Sequence, residues 1–181
     1  MTGGRLKVAL VFGGRSVEHE VSIVSARSFF SAMDKDKYEH VLVGIDTEGH
    51  WFLVGDSFDG IGERLSSNSG KRIRLLDDGS PALRNRANSI EGKRDAQLGP
   101  IDVLVPMVHG SFGEDGCIQG LCELLDIPYV GAGVLGSALG MDKITMKRIL
   151  QAAGIRVVDF IPVLRRDWER APDTISVCCE S

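Results

Sequence analysis

The chain has 181 residues, of which 43% are hydrophobic and 25% are charged, with a formal net charge of −4. This length can bury a hydrophobic core, and the mixed composition excludes a disordered or low-complexity chain. The acidic balance argues against nucleic acid or an anionic membrane surface as the main partner. The longest stretch without charge, residues 127–141, is 15 residues long and too short to span a bilayer.

The apolar patterns predict alternating strands and helices along most of the chain. Continuous apolar runs indicate buried strands, and apolar residues three and four positions apart indicate amphipathic helices. In chain order the predicted elements are strand 7–12, helix 20–33, strand 38–45, antiparallel strand 51–54, strand 101–106, a helix around 118–125, strand 128–130, a helix from its N-cap Asp142 to Gly154, and strand 156–161. Such alternation builds a mostly parallel, Rossmann-like α/β sheet with helices on both faces.

Two segments depart from this regularity. Residues 55–100 are rich in Ser, Asn, Gly and Arg, and we expect a long, mobile excursion with one or two short strands. Residues 168–181 show no strand–helix pair, so the strand at 156–161 has little after it to pack against. We therefore expect one domain over residues 1–140 and the truncated start of a second over residues 141–181.

The four cysteines, at positions 117, 122, 178 and 179, lack the CxxC spacing of a metal or redox site. We interpret them as buried thiols in a reducing compartment. The apolar run at 8–12 ends in Gly-Gly and not in the cleavage site of a signal peptide. Together these features predict a cytoplasmic protein.

Polar loops follow the carboxyl ends of predicted strands, where open α/β sheets bind ligands. The first loop, GGRSVEHE at 13–20, contains Glu18 and Glu20 at the start of a helix. These carboxylates either serve a ligand or only stabilise the helix N-terminus, by about 0.3–1 kcal/mol. The second loop, HGSFGEDG at 109–116, contains His109, which is either a structural histidine or a hydrogen-bonding partner for a carboxylate or phosphoryl oxygen.

The third loop, residues 131–143, begins with GAGVLG and matches the GxGxxG pattern of dinucleotide sites. An acidic residue of the kind such sites need, Asp159, follows 23 positions after Gly136. However, residues 140–142 break the helix that the motif should open into two short pieces. Lys143 lies in the first turn of the second piece, where it either points into water or binds a phosphate.

Four segments carry a more specific signal when they are taken together: VFGGRSVEHEVSIVSA (11–26), MVHGSFGEDGCIQG (107–120), IPYVGAGVLGSALGMDK (127–143) and AAGIRVVDF (152–160). In the same order and spacing they closely resemble the D-alanine–D-alanine ligases, ATP-grasp enzymes that make D-alanyl-D-alanine for peptidoglycan. The resemblance runs from about residue 6 to residue 173. It implies a pre-ATP-grasp domain with the first D-alanine site, followed by the start of the central ATP-grasp domain.

The resemblance also implies roles for individual residues. Glu18 matches the glutamate that binds the ammonium of the first D-alanine, and His109 matches the histidine beside that D-alanine and the transferring phosphoryl group. Lys143 matches the lysine that reaches ATP phosphate. The backbone positions that shape the pocket correspond to Gly13, Gly14, Gly110, Gly113 and Gly116.

The implied reaction has two steps. The carboxylate of the first D-alanine attacks the γ-phosphate of ATP, and the amine of the second D-alanine then displaces phosphate from the acyl phosphate. Mg²⁺ or Mn²⁺ would be held by carboxylates that lie outside this chain, as do the nucleotide clamp and the adenine pocket. We therefore expect the 181-residue polypeptide alone to be inactive. Such enzymes are cytoplasmic, serve cell-wall and cell-shape biogenesis, and are often homodimers.

Three alternatives remain open on the sequence. A D-alanine–D-lactate ligase would share these motifs, because residues beyond Ser181 choose the second substrate. An NAD-dependent oxidoreductase would rest on GAGVLG and Asp159. The third alternative is a non-catalytic remnant that only binds ligands. The ending TISVCCES lacks the helix and strand with which the ligases continue.

Overall fold

The computed structural model describes residues 4–66, 68–73, 76–77, 80–81 and 101–180. The chain divides into two units, Met1–Met141 and Asp142–Ser181. Part of the expected excursion at 55–100 forms short strands, whereas residues 82–100 lie outside the described residues.

The first unit is built on a five-stranded sheet. The described strands of this unit are β1 (Leu6–Gly13), β2 (Tyr38–Ile45), β3 (Trp51–Gly55), β4 (Lys71–Ile73), β5 (Leu76–Asp77), β6 (Ser80–Pro81) and β7 (Val103–Pro106). The sheet has the order β4-β3-β2-β1-β7, while β5 and β6 form a separate antiparallel pair. Strand β1 lies in parallel between β2 and β7, and β3 and β4 add antiparallel strands at one edge. The parallel centre confirms the predicted α/β fold class.

Helices cover both faces of this sheet, as the alternation predicted. The unit has three described helices, α1 (His19–Ala32), α2 (Cys117–Leu124) and α3 (Val134–Met141), of which α1 and α2 pack against opposite faces of the sheet. Because side chains alternate along a strand, Leu10 and Phe12 of β1 join Ile23 of α1 in one core, and Val11 joins Ile118 of α2 in the other. All five side chains are at most 4% exposed, and burying each stabilises the fold by about 1.5–3 kcal/mol.

The second unit contains three helices, α4 (Lys143–Ala152), α5 (Arg165–Arg170) and α6 (Pro172–Glu180). Helix α4 begins as predicted, because the Asp142 carboxylate accepts a hydrogen bond from the Thr145 N–H at 2.9 Å. It ends before Gly154, whose φ is +76°. Among residues 142–177, whose side-chain burial is described, none is buried.

Three local predictions are wrong. The segment 156–161 is not a strand, because no described residue pairs with it and an extended segment needs a neighbour for its hydrogen bonds. Residues 128–130 contribute only an isolated bridge between Tyr129 and Leu104. The ending TISVCCES was expected to lack a helix and a strand, but α6 covers residues 172–180.

The cysteine prediction holds for one residue and fails for another. Cys122 is buried, and this burial raises the pKa of its thiol to about 11. Cys117 is exposed, so it is not the buried thiol that we expected. The side chains of Cys178 and Cys179 lie outside the described ones. Within the described part of the chain, no helix has both the length and the apolar character needed to cross a membrane.

Candidate functional site

The first and second loops lie against each other, because they leave the carboxyl ends of the parallel neighbours β1 and β7. Ser16 connects them: its hydroxyl donates to the His109 carbonyl at 2.7 Å and accepts from the Glu18 N–H at 3.1 Å. The Glu18 carboxylate also reaches the second loop, since a Cβ atom on Gly110 would lie 2.5 Å from Glu18 Oε2. The fold therefore brings Glu18 close to the loop that carries His109.

The Glu18 carboxylate is exposed, and among the described residues it has no hydrogen-bond or ion-pair partner. Glu18 occupies the N-cap position of α1, yet its side chain makes no capping hydrogen bond. Within the described residues, no hydrogen bond or ion pair engages this carboxylate, whereas Glu20 pairs with Arg64 at 2.9 Å. The capping interpretation of Glu18 thus has no hydrogen bond to support it, and the carboxylate can accept hydrogen bonds from a cationic ligand.

The His109 imidazole is held between two polar side chains. Its Nε2 atom lies 2.9 Å from the Ser25 hydroxyl of α1. Its Nδ1 atom lies 3.7 Å from Glu114 Oε1, and the other oxygen of Glu114 accepts from the Gly110 N–H at 2.8 Å. The side chain is 29% exposed, so the ring is partly shielded but can still be reached from solvent.

His19, which the sequence analysis did not single out, is buried and holds the backbone of the first loop at Gly14. The Leu65 N–H donates to His19 Nε2 at 3.1 Å, so that nitrogen carries no proton. The proton is therefore on Nδ1, which donates to the Gly14 carbonyl at 2.7 Å. This neutral histidine is only 4% exposed and fixes the backbone of the glycine pair.

Ser22 ties the ends of two strands together. Its hydroxyl accepts from the Gly13 N–H at 2.7 Å and donates to the Met107 carbonyl at 2.6 Å. The four supporting residues recur at intervals of three along the sequence: Ser16, His19, Ser22 and Ser25. His19, Ser22 and Ser25 lie in α1, where residues three apart are neighbours on the helix surface, so this polar spacing could have indicated the part of α1 that faces the loops.

The five predicted pocket glycines occupy positions that a side chain would disturb. Four of them have positive φ angles, +88°, +104°, +69° and +95° at Gly13, Gly14, Gly110 and Gly116. At Gly14 a Cβ atom would also lie 2.7 Å from Val108 Cγ1, and at Gly113 it would overlap the Val108 carbonyl. The approach at Gly14 brings the first loop against Val108, the residue just before the second loop, and the approach at Gly113 folds the second loop back onto the same residue.

Arg15 and Phe112 join the two loops on their outer side. The Arg15 guanidinium lies 5.0 Å from the centre of the Phe112 ring, a cation–π distance. Phe112 has a φ of +67°, and its N–H donates to Asp115 Oδ2 at 2.8 Å. Burial raises the pKa of Asp115, but hydrogen bonds from Phe112 and Cys117 outweigh it and leave that pKa below its usual value.

The third loop does not form the dinucleotide site that its glycines suggested. Helix α3 begins at Val134 directly after the second glycine, and the break at Asp142 separates it from α4, as expected. Asp159 lies in a segment without strand structure, so it is not the acid at a strand end that such a site requires.

Lys143 belongs to the second unit. It lies in the first turn of α4, whose N-terminus is already capped by Asp142, and the Thr145 N–H lowers the pKa of that carboxyl. A cavity of about 320 Å³ lies in this unit, lined by Lys143, Lys147 and apolar residues that include Phe160. Lys147 Nζ donates to the Val158 carbonyl at 3.2 Å and lies 4.7 Å from the Phe160 ring centre.

The turn between β2 and β3 holds the only cluster in the described part of the chain whose side chains could bind a metal ion: Asp46, Glu48 and His50. Its Asp46 carboxylate already accepts from the N–H groups of Glu48 and His50, at 2.9 and 2.8 Å. Mg²⁺ prefers oxygen ligands in octahedral geometry, and this cluster offers a histidine nitrogen. The cluster does not fit the Mg²⁺ site that the resemblance implies.

Comparison with known proteins agrees with the resemblance. The family model described as "D-ala D-ala ligase N-terminus" matches residues 7–132. The chain therefore belongs to the D-alanine–D-alanine ligase N-terminal family. It is 41% identical to a D-alanine–D-alanine ligase of Streptomyces avermitilis, covering 91% of this chain and 44% of that protein. It is also 44% identical to a D-alanine–D-alanine ligase of Thermoanaerobacter sp., and this match covers 90% of this chain and 44% of that protein. The chain thus spans less than half the length of these relatives.

Solved structures show the same relationship. The D-alanine–D-alanine ligase of Coxiella burnetii has a TM-score of 0.70 and 34% identity, covering 95% of this chain and 50% of its own. The VanG D-Ala:D-Ser ligase of Enterococcus faecalis has a TM-score of 0.66 and 29% identity, and the match covers 96% of this chain and 49% of that one. The D-alanine–D-alanine ligase of Bacillus anthracis complexed with ATP has a TM-score of 0.57 and 26% identity, covering 90% and 42%.

Proposed function

We propose that this chain supplies the first amino-acid site of an ATP-dependent ligase that joins two D-alanines. The observation that carries the proposal is the Glu18 carboxylate, which has no partner among the described residues and lies against the His109 loop at the carboxyl ends of two parallel strands. The relatives named D-alanine–D-alanine ligase support the choice of substrate, as does the solved relative complexed with ATP.

The site residues of the first unit have distinct roles in this proposal. Glu18 binds the α-ammonium of the first D-alanine and neutralises its charge, which leaves the amino-acid carboxylate as the nucleophile. His109 lies beside that carboxylate. Ser25 lies 2.9 Å from its Nε2 atom and Glu114 lies 3.7 Å from its Nδ1 atom, so Nδ1, which has the longer contact, is the ring nitrogen that can face the reacting groups. The pocket glycines allow the backbone to approach the substrate closely.

ATP, when bound, supplies the phosphoryl group that activates the carboxylate. Lys143 would hold phosphate, since it matches the lysine that reaches ATP phosphate in the ligases that this chain resembles. The metal, Mg²⁺ or Mn²⁺, is proposed to bind outside this chain. We propose further that residues 1–140 form the D-alanine domain and residues 141–181 begin the ATP-grasp domain. A cytoplasmic location, a role in cell-wall synthesis and a homodimeric assembly belong to the same proposal.

Binding of D-alanine to the 181-residue chain tests the site. We expect D-alanine to shift the amide NMR signals of residues in the first and second loops, and L-alanine to bind more weakly. Glu18→Gln removes a charge-assisted contact and should weaken D-alanine binding by about tenfold or more. The matched control is Glu20→Gln, which removes a carboxylate that already pairs with Arg64 and should leave binding unchanged. Equal losses in both variants would contradict the assignment of Glu18.

A second candidate is a ligase that adds a different second substrate, D-lactate or D-serine. It is favoured by the structural similarity to the VanG D-Ala:D-Ser ligase, at a TM-score of 0.66. Incubating the longer protein with D-alanine, Mg-ATP and each second substrate in turn distinguishes the products. D-alanyl-D-alanine as the main product would support the first proposal, and a preference for D-lactate or D-serine would replace it. We expect the 181-residue polypeptide alone to release no ADP.

A further inference from the structure

We propose that Ser25 is a positioning residue that keeps His109 Nε2 free of a proton, so that Nδ1 carries the proton and can donate it in hydrogen bonds. The contact that defines this role is the 2.9 Å separation between Ser25 Oγ and His109 Nε2. It joins residues that are 84 positions apart, and therefore it exists only because α1 packs beside the second loop.

A serine in a helix usually has a local alternative for its hydroxyl. It can donate to the carbonyl four residues earlier, as Ser31 does to the Arg27 carbonyl in the same helix at 2.9 Å. Ser25 instead reaches the imidazole. A neutral imidazole has one donor nitrogen and one acceptor nitrogen, so a hydroxyl that donates to Nε2 places the ring proton on Nδ1.

The opposite side of the ring favours the same arrangement. The Glu114 carboxylate faces Nδ1 at 3.7 Å, and an ionised carboxylate can only accept hydrogen bonds. This carboxylate is held in place because its other oxygen accepts from the Gly110 N–H at 2.8 Å. A bare Nδ1 lone pair facing this negative charge would be repelled, whereas an N–H group is attracted. The hydroxyl and the carboxylate therefore act together on the position of one proton.

His19 has the same arrangement of contacts, with a donor at Nε2 and an acceptor at Nδ1. There a backbone N–H donates to Nε2 and leaves the proton on Nδ1, which donates to a carbonyl. At His109 the side chain is 29% exposed and the Nδ1 contact with Glu114 is long, at 3.7 Å, so the Nδ1–H can also donate to an oxygen of a ligand that enters beside this carboxylate. This last consequence rests on the proposed function. The assignment of the proton itself does not.

Nitrogen NMR of the 181-residue chain tests the inference directly. Neutral imidazole nitrogens with and without a proton resonate in well-separated regions, and a His109→Asn variant assigns the signals among the four histidines. At a mildly alkaline pH, where imidazoles are neutral, we expect the protonated nitrogen of His109 to be Nδ1. Ser25→Ala should move the two signals toward each other as the two tautomers mix. Ser25→Thr, which keeps a hydroxyl, should retain the wild-type pattern.

The matched control is Ser28→Ala, which makes the same substitution at an exposed position of the same helix and should leave the His109 signals unchanged. A proton on Nε2 in the wild-type chain would overturn the inference, even if Ser25→Ala failed to fold. Unchanged signals in Ser25→Ala, equal changes in Ser28→Ala, or a Ser25→Thr variant that behaves like Ser25→Ala would also overturn it.

D-alanine titrations separate this inference from the proposed function. If the wild-type chain binds D-alanine, Ser25→Ala should weaken that binding about three- to tenfold, and Ser25→Thr should restore it. Unchanged D-alanine affinity in a Ser25→Ala chain with mixed tautomers would overturn the role of the Nδ1 proton in binding. If D-alanine does not bind to the wild-type chain, the proposed function fails, and the nitrogen signals still decide the role of Ser25.

Discussion

The two units use their apolar residues in opposite ways. In the first unit the run from Val8 to Phe12 is at most 4% exposed, because helices cover both faces of the sheet. In the second unit Ile149, Val158 and Trp168 are 46%, 80% and 48% exposed. Burial of the core thus gives the first unit most of its stability, whereas the helices of the second unit, each at most 10 residues long, have few buried contacts to stabilise them.

The polar residues of the two units differ in the same way. In the first unit His19 and Ser22 are buried, and each holds two backbone groups. Those of Ser22 lie at the ends of β1 and β7, and those of His19 lie just after β1 and in the loop between β3 and β4. In the second unit Asp142 caps a helix at the surface, and Lys147 reaches a carbonyl of its own unit. A precise polar site therefore forms where a packed core fixes the backbone groups around it.

The largest expected effect is a core substitution in the first unit. Leu10→Ala should lower the free energy of unfolding by about 2–5 kcal/mol, because it leaves a cavity at a fully buried position. Ile149→Ala, at a half-exposed position of the second unit, should change the free energy of unfolding of the first unit by less than about 1 kcal/mol. Each unit contains one tryptophan, Trp51 or Trp168, so urea unfolding of a Trp168→Phe background reports the first unit alone. Similar losses from both substitutions would contradict the comparison.

The next effect comes from the buried histidine. His19→Ala should lower the free energy of unfolding of the first unit by about 2–4 kcal/mol, because it leaves the Gly14 carbonyl and the Leu65 N–H without partners. His40→Ala is the control: its Nε2 bonds the Asp56 carbonyl at an exposed site, so the loss should be about 0.5–1.5 kcal/mol. Urea unfolding followed by Trp51 fluorescence measures both. An equal loss in the two variants would show that burial does not set the energy of these contacts.

Acid should weaken the first unit through Asp46. Burial raises the pKa of this carboxyl, but hydrogen bonds from the His50 N–H and ring and from the Glu48 N–H outweigh it and leave the pKa below the usual 3.8. A lowered pKa means that ionised Asp46 contributes stability above about pH 4 and loses it as the pH falls through the folded-state pKa. Asp46→Asn should therefore unfold more easily than wild type at neutral pH, and the difference should shrink in acid.

The measurement for Asp46 is the urea midpoint of the Trp51 transition as a function of pH. Asp142→Asn serves as the comparison in the second unit, since it removes a lowered-pKa carboxyl there and should leave the Trp51 transition unchanged. The difference in urea midpoint between the wild type and Asp46→Asn should shrink in acid. A difference that stays constant as the pH falls would rule out Asp46 as a source of acid sensitivity.

The smallest expected effect is a gain in stability. Gly120 lies inside α2 with an ordinary φ angle, and a Cβ atom there would only touch Val134 Cγ2 at 4.0 Å. Gly120→Ala should raise the free energy of unfolding of the first unit by about 0.4–1 kcal/mol. In the second unit Gly154 has a φ of +76°, so Gly154→Ala should strain the end of α4 and leave the Trp51 transition unchanged. A loss of stability in Gly120→Ala would show that the helix is packed more tightly than the structure indicates.

The predictions that succeeded rested on local patterns. Strand 38–45 and the Asp142 cap were read correctly, because apolar runs and capping residues act on their immediate neighbours. The prediction of a strand at 156–161 failed for the opposite reason. Its apolar residues fit a strand, but a strand requires a partner, and no described residue supplies one.

The candidate site shows the same division. Glu18 and His109 were identified from polar loops placed after strands and from motifs that resemble a known family. Ser25 and His19 were missed, because their partners lie 84 and 46 positions away along the chain. The three-residue spacing of Ser16, His19, Ser22 and Ser25 was visible in the sequence, but it did not show which distant groups these residues would contact.

The sequence by itself determined the parallel α/β sheet, the family and the two loops that carry Glu18 and His109, since apolar periodicity and short motifs are properties of neighbouring residues. Only the tertiary structure decided that Ser25 contacts the imidazole, that the Glu18 carboxylate has no partner among the described residues, and that the second unit buries none of its described side chains. The physical reason is that hydrogen bonds and burial depend on which distant segments approach each other, and that approach is set by the packing of the whole core.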